Sequence, residues 1–191
     1  MSNSVSALQG ASHTGFAHVR EMGLLGMVTL KADLSAPKTA AAVKAAVGLA
    51  LPAQRAITTG RDPVSVAWMA PDELLIMCKH EDADKVVARL TKDLGDAHHL
   101  AVNVSDARAV FTIEATDMRE VLGKLTPADL GTLEYGEMRR SRLAQVPAAF
   151  WMNDRTHAAV ICFRSVAQYA FDLLTTAAAD GGEVGYYGQD T

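Results

Sequence analysis

Two thiols, six histidines and several close pairs of carboxylates are the groups in this 191-residue chain whose chemistry could matter. Cys78 ends the run Leu74-Leu75-Ile76-Met77-Cys78, and Cys162 lies in Ala159-Val160-Ile161-Cys162-Phe163. Such apolar flanks bury a thiol, and a buried thiol stays protonated and behaves as a small hydrophobe. Lys79 is the one cation next to Cys78, and consecutive residues of a strand face opposite ways, so it is not placed to activate the sulfur. There is no Cys-x-x-Cys and no Cys/His spacing suited to zinc. His98 and His99 are adjacent at a strand start and point apart, and His157 stands alone before another strand. The carboxylate pairs Asp72-Glu73, Glu81-Asp82 and Asp93 with Asp96 fall at turns and helix ends, where they serve free N–H groups and the helix dipole. A catalytic carboxylate pair needs one member desolvated, and nothing in these surroundings suggests that. Neither a Gly-x-Gly-x-x-Gly nor a Gly-x-x-x-x-Gly-Lys-Ser/Thr phosphate cradle occurs, and Gly181-Gly182-Glu183-Val184-Gly185 follows a helix instead of opening one. The residues themselves therefore predict no catalytic, cofactor-binding or metal site.

Charge narrows the partners. The formal net charge is -4 with 21% charged residues, against the basic excess that phosphate contacts demand of a nucleic-acid binder. The densest basic cluster in the sequence is Arg139, Arg140 and Arg142, with Arg119 and Lys124 upstream. It is read as a solvated or partner-facing edge. Residues 1–14 are small and polar, without the basic start and apolar stretch of a secretory leader, and no run approaches the roughly 20 apolar residues that span a bilayer. With two apolar-flanked, reduced cysteines, the expectation is a cytoplasmic protein.

The elements that would position these groups follow from periodicity. Residues 1–20 are expected as a loose arm and 181–191 as a flexible tail, around one α+β domain over 21–180. Alternation marks a strand at 24–34; Ser35 and Pro37 open a helix that Pro52 ends. Ala70-Pro71-Asp72-Glu73 turns between strands at 64–69 and 74–78, and a helix over 81–94 stops at Gly95. Strands follow at 100–104 and 109–115. A helix capped by Thr116 or Asp117 carries Met118, Val121, Leu122 and Leu125 inward and ends at Pro127. Strands at 137–146, 148–152 and 158–163 come next, with Asn153-Asp154-Arg155 as a turn. The last helix opens on Ser165-Val166-Ala167-Gln168, a capping-box pattern, and ends at Gly181-Gly182. The halves, about 21–104 and 105–180, each approximate split β-α-β (ferredoxin-like) units with mixed sheets and packed helices.

Two segments carry a family resemblance. One is Trp68-Met69-Ala70-Pro71-Asp72-Glu73-Leu74-Leu75-Ile76. The other is Asn103-Val104-Ser105-Asp106-Ala107-Arg108-Ala109-Val110-Phe111-Thr112-Ile113, continuing through Met118-Arg119-Glu120-Val121-Leu122-Gly123-Lys124 to Pro127-Ala128-Asp129-Leu130. With Arg140-Ser141-Arg142-Leu143 and Phe163-Arg164-Ser165-Val166-Ala167-Gln168-Tyr169, they resemble the gamma subunits of heterotetrameric sarcosine oxidases. The resemblance implies a fold like the folate-binding domain of the glycine-cleavage aminomethyltransferase. It implies a non-catalytic subunit of an oxidoreductase complex in one-carbon metabolism, which demethylates sarcosine oxidatively to glycine. The expected partners are the alpha and beta subunits, with delta in the same complex, and FAD, FMN and NAD are expected on those partners and not on this chain.

A partner subunit needs a docking surface. The turn at Pro71, the row Arg139, Arg140 and Arg142, and the aromatic Trp151 are the candidates, since Trp and Arg dominate interface hot spots. The alternative is a stand-alone folate-binding or one-carbon-transfer protein, with Asp106 gripping a pterin and Arg108 on a basic rim.

Overall fold

The structure, a computed structural model, describes residues 4–61 and 63–187. It divides into two compact units, a central one over Leu24–Asp106 and a terminal one made of the chain up to Gly23 and from Ala107 on.

The expected N-terminal arm is instead part of a sheet. Strand β1 (Ser12–Thr14) pairs antiparallel with β2 (His18–Glu21), and Val19 and Glu21 are buried. Only one apolar residue stands in His18-Val19-Arg20-Glu21, too little alternation to announce a strand. Residues 1–3 of the expected arm lie outside the described residues.

The central unit runs β3 (Gly26–Ala32), α1 (Pro37–Val47), β4 (Ile57–Thr59), β5 (Ser65–Ala70), β6 (Glu73–Cys78), α2 (Ala83–Leu94) and β7 (His99–Asn103). Helix α1 starts on Pro37 just after Asp33 accepts hydrogen bonds from the Ser35 N–H (2.9 Å) and hydroxyl (2.6 Å), a local turn that hands the chain to the helix. Gly48 closes α1 and Gly95 closes α2, both at positive φ, where a side chain would be strained. The strand order is β4-β5-β6-β3-β7. Strand β6 lies between β3 and β5, which α1 connects; β3 lies between β6 and β7, which α2 connects. These are two interlocked split β-α-β units. The sheets expected as mixed are antiparallel in every described pairing, because each split unit inserts a third strand between its two parallel ones. Val28, Leu30, Leu74 and Ile76 of the sheet meet Val43, Val86, Leu90 and Leu94 of the helices in one buried cluster.

The terminal unit continues with β8 (Arg108–Glu114), α3 (Arg119–Leu122), β9 (Arg139–Leu143), β10 (Val146–Met152), β11 (His157–Phe163) and α4 (Ala167–Ala177). Its sheet runs β1-β2-β8-β11-β10-β9. From β2 onward this is the order of the central sheet, with β2, from before the unit's first helix, in the place β7 holds after α2. Phe111, Ile113, Phe150, Met152 and Val160 pack with Met118, Leu122, Ala170 and Leu174. Fully burying one such side chain contributes roughly 1.5–3 kcal/mol, so this cluster and its central counterpart give each unit a substantial apolar core.

Four local expectations change. The strands expected at 137–146 and 148–152 form the hairpin β9–β10, but the turn between them falls earlier, at Ala144, which takes φ 47, and Gln145. Neither residue is a turn former, so the sequence gives no sign of it. The capping box at Ser165 does not form: residues Arg164–Val166 make a 3-10 turn, α4 has no side-chain cap, and Gln168 donates to Asp172 at 2.8 Å. Helix α4 ends at Ala177, before Gly181-Gly182, and α3 is a single turn.

Candidate interaction surfaces

The arginine row predicted from sequence sits on β9, the outermost strand of the terminal sheet. Alternation puts Arg139 and Leu143 on one face and Arg140 and Arg142 on the other. Arg139 is half-buried and its guanidinium bonds Glu137 at 2.9 Å, while Arg140 and Arg142 are exposed. The upstream cations are occupied inside the unit. Arg119 stands 3.9 Å from the buried Asp117 carboxylate, which Arg155 also approaches at 3.3 Å. Lys124 donates to the Ala177 carbonyl at 2.8 Å and to that of Gly182, and lies over the Phe16 ring. The upstream part of the basic cluster visible in sequence is thus structural, while Arg140 and Arg142 are exposed on the edge strand.

Trp151 is next to that row in register, since its neighbour Phe150 opposes Arg139. It is only 7% exposed, and its indole N–H donates to the Asn153 side chain at 3.0 Å. As a surface anchor Trp151 is corrected: it is a packed side chain with a satisfied donor. Pro71 is exposed at the tip of the β5–β6 hairpin in the central unit. Arg108 stacks over the exposed Phe163 ring at 5.3 Å, and Asp106 is exposed in a 3-10 turn after β7.

Both thiols are buried, Cys78 on β6 and Cys162 on β11. Burial pushes each up to about 11, with Asp82 and Glu81 adding to the rise at Cys78 and Arg108 opposing it at Cys162. At neutral pH neither is a nucleophile. No group of three or more His, Cys, Asp or Glu side chains able to hold a metal occurs among the described residues.

Two buried carboxylates do work that the sequence did not announce. Glu21 on β2 accepts from the Ser6 hydroxyl (2.9 Å) and from the N–H groups of Leu8 (3.0 Å) and Gly10 (2.7 Å). Glu120 on α3 accepts from the N–H groups of Val184 (2.8 Å), Gly185 (3.1 Å) and Tyr187 (2.9 Å). Burial would raise the Glu120 pKa, but the amides of Tyr187, Val184, Gly185 and Tyr186 outweigh it and hold the carboxyl below its ordinary value. The described part of the expected tail is therefore tied down through residue 187, and residues 188–191 lie outside the described residues.

A groove of about 800 Å³ opens in the central unit, lined by Ala46 and Val47 of α1, by Arg61 and Val64, by Cys78 and Lys79, and by Lys85, Val86 and Arg89 of α2. Its cations come from three separate stretches of chain, so no run of basic residues marks it.

The model of the family described as "Sarcosine oxidase, gamma subunit family" (SoxG) matches residues 31–180. The chain belongs to this family. Among curated proteins, it is 32% identical over 114 residues to "Sarcosine oxidase subunit gamma" of Corynebacterium sp. (strain U-96), over 58% of this chain and 55% of that one. The chain thus spans about half the length of that relative. A solved structure of heterotetrameric sarcosine oxidase from Corynebacterium sp. U-96, in complex with pyrrole 2-carboxylate, contains a chain that superposes with TM-score 0.76 at 24% identity, covering 85% of this chain and 83% of that one. Glycine cleavage system aminomethyltransferase T from Bartonella henselae superposes with TM-score 0.63 at 12% identity, covering 90% of this chain and 50% of that one. These likenesses show the gamma-subunit family to share its fold with part of the aminomethyltransferase, as the sequence resemblance implies. No helix among the described residues is long and apolar enough to cross a membrane.

Proposed function

We propose that the chain is the non-catalytic gamma subunit of a cytoplasmic heterotetrameric sarcosine oxidase, which demethylates sarcosine oxidatively to glycine. It packs against alpha and beta subunits, with delta in the same assembly, and those partners carry FAD, FMN and NAD. The observation that carries this reading is the family match over residues 31–180, which covers most of the central unit and residues 107–180 of the terminal one. Two physical points support a structural role. Both thiols are buried and protonated at neutral pH, so the strongest nucleophiles are out of use. The buried carboxylates Glu21 and Glu120 are spent on backbone amides of the terminal segments. The hard chemistry of such a complex is supplied by cofactors.

The test is to express the alpha, beta and delta chains with and without this one, and to measure flavin content and sarcosine-dependent peroxide release. The reading expects the assembled complex to be lost without this chain while flavin stays with the partners. Flavin or peroxide release that purifies with this chain alone contradicts the non-catalytic role.

A further inference from the structure

The groove of the central unit carries charge opposite to that of the whole chain. Among the described residues its lining holds four cations, Arg61, Lys79, Lys85 and Arg89, against one carboxylate, Asp82, with Asp93 pairing Arg89 from outside the lining. The chain as a whole is at -4. A local reversal of sign is a feature of the surface and not an echo of composition.

The geometry says what kind of anion fits. The Lys85 and Arg89 side chains are 75% and 53% exposed and stand on the rim, one turn apart on α2. Their present partners are the helix neighbours Asp82 (2.7 Å) and Asp93 (2.6 Å), exposed pairs worth little that an incoming carboxylate can share. Arg61 and Lys79 are exposed and complete the basic rim. Beneath them the floor is apolar: Val86 and Cys78 are buried, and Ala46, Val47 and Val64 are half-buried. The cations that line it among the described residues are exposed on the rim. Spread cations above an apolar floor suit a length of polypeptide with several carboxylates and an apolar side chain between them.

We propose that this groove docks an acidic, extended segment of a partner chain, its carboxylates on Arg61, Lys79 and Arg89 and its apolar side chain against Val47, Val64 and Val86. This rests on the subunit reading above, since the segment belongs to a partner of that complex. Attraction between exposed charges steers association and is screened beyond roughly 8–10 Å at moderate salt. Docking is therefore salt-sensitive.

Two measurements on the full chain test it. In the first, a fluorescein-labelled peptide of ten glutamates around one leucine is titrated and read by anisotropy. The expected result is binding at 50 mM NaCl that falls at least about tenfold in the variant Arg61→Glu/Lys79→Glu/Arg89→Glu and about equally at 500 mM NaCl. The milder Arg61→Gln/Lys79→Gln/Arg89→Gln should fall between, with circular dichroism confirming that both variants fold. Arg140→Glu/Arg142→Glu on β9 should bind like the parent. Absence of binding to the parent, binding that survives the triple reversal, equal loss in the β9 variant, or tighter binding of a DNA oligonucleotide of equal charge each overturns the proposal. In the second, the tagged parent and the triple glutamate variant are co-expressed with the partner subunits. Partners that follow the parent and not the variant support the groove. Partners that follow both equally overturn it and leave the subunit reading standing. Partners that follow neither overturn both.

Discussion

The two units share a strand order and differ in how their outer strands and edges are finished. In the central unit every strand comes from one continuous stretch, and β7 ends the sheet with Leu100 and Val102 exposed. In the terminal unit the equivalent place is taken by β2, recruited from the start of the chain, and β1 covers its outer side. That unit also uses Glu21 and Glu120 to hold the first and last described segments of chain. The lesson is that one topology can be assembled from different parts of a sequence, and that terminal segments are the material used to close it. The unit without termini keeps its basic groove and sheet edge exposed.

Core truncations should injure both units most. Phe150→Ala in the terminal cluster should cost about 3–5 kcal/mol, and Leu74→Ala in the central one about 2–5 kcal/mol, by denaturant unfolding. Both side chains are 0% exposed, so a loss below about 1 kcal/mol at either site would mean that cluster is not a close-packed core.

Gly26→Ala probes a close approach in the central unit, the counterpart of the one at Gly15 in the terminal unit, where a Cβ would meet the Ala178 carbonyl oxygen. A Cβ at Gly26 would collide with the Lys79 carbonyl oxygen and lie 2.9 Å from the Cys78 sulfur. A loss of roughly 1–3 kcal/mol is expected; an unchanged melting temperature would show that β3 and β6 can part without penalty.

Glu120→Ala probes what only the terminal unit has. Removing the acceptor of three amides should cost about 1–3 kcal/mol and make the segment after Gly182 sensitive to limited proteolysis. Because the folded carboxyl is held below its ordinary 4.5, its contribution is complete above that pH and is lost as pH falls through the lower, folded value. The parent should therefore lose protease resistance in this segment only on acidification below pH 4.5, whereas the sensitivity of Glu120→Ala should not change over the same range.

The smallest difference should be between the thiols. Cys78 and Cys162 belong to different units but are both pushed to about 11, so neither should be alkylated by iodoacetamide in the native protein at pH 8. Labelling of one alone would break the likeness between β6 and β11.

Long, periodic elements were legible from residues alone. The Leu74–Cys78 run, the α2 stripe ending at Gly95, and the β8 and β11 runs all stand where alternation and spacing put them. What escaped is what tertiary contact decides. Strand β2 shows one apolar residue, β4 has three residues, and Ala144-Gln145 turns without glycine. The surface was harder still. Arg139, Arg140 and Arg142 are conspicuous because they are adjacent, yet Arg139 is paired with Glu137. Arg61, Lys79 and Arg89 are unremarkable in sequence and become one rim only through folding. Trp151 looked like an anchor by type, and β10 buries it.

The central claim is that this chain works bound to cofactor-bearing partners. The most direct measurement is a pull-down of the tagged chain, co-expressed with its neighbouring genes, read by visible absorbance of the eluate. The account predicts flavin absorbance and larger chains eluting with the tag in constant ratio. A colourless eluate containing this chain alone would contradict it.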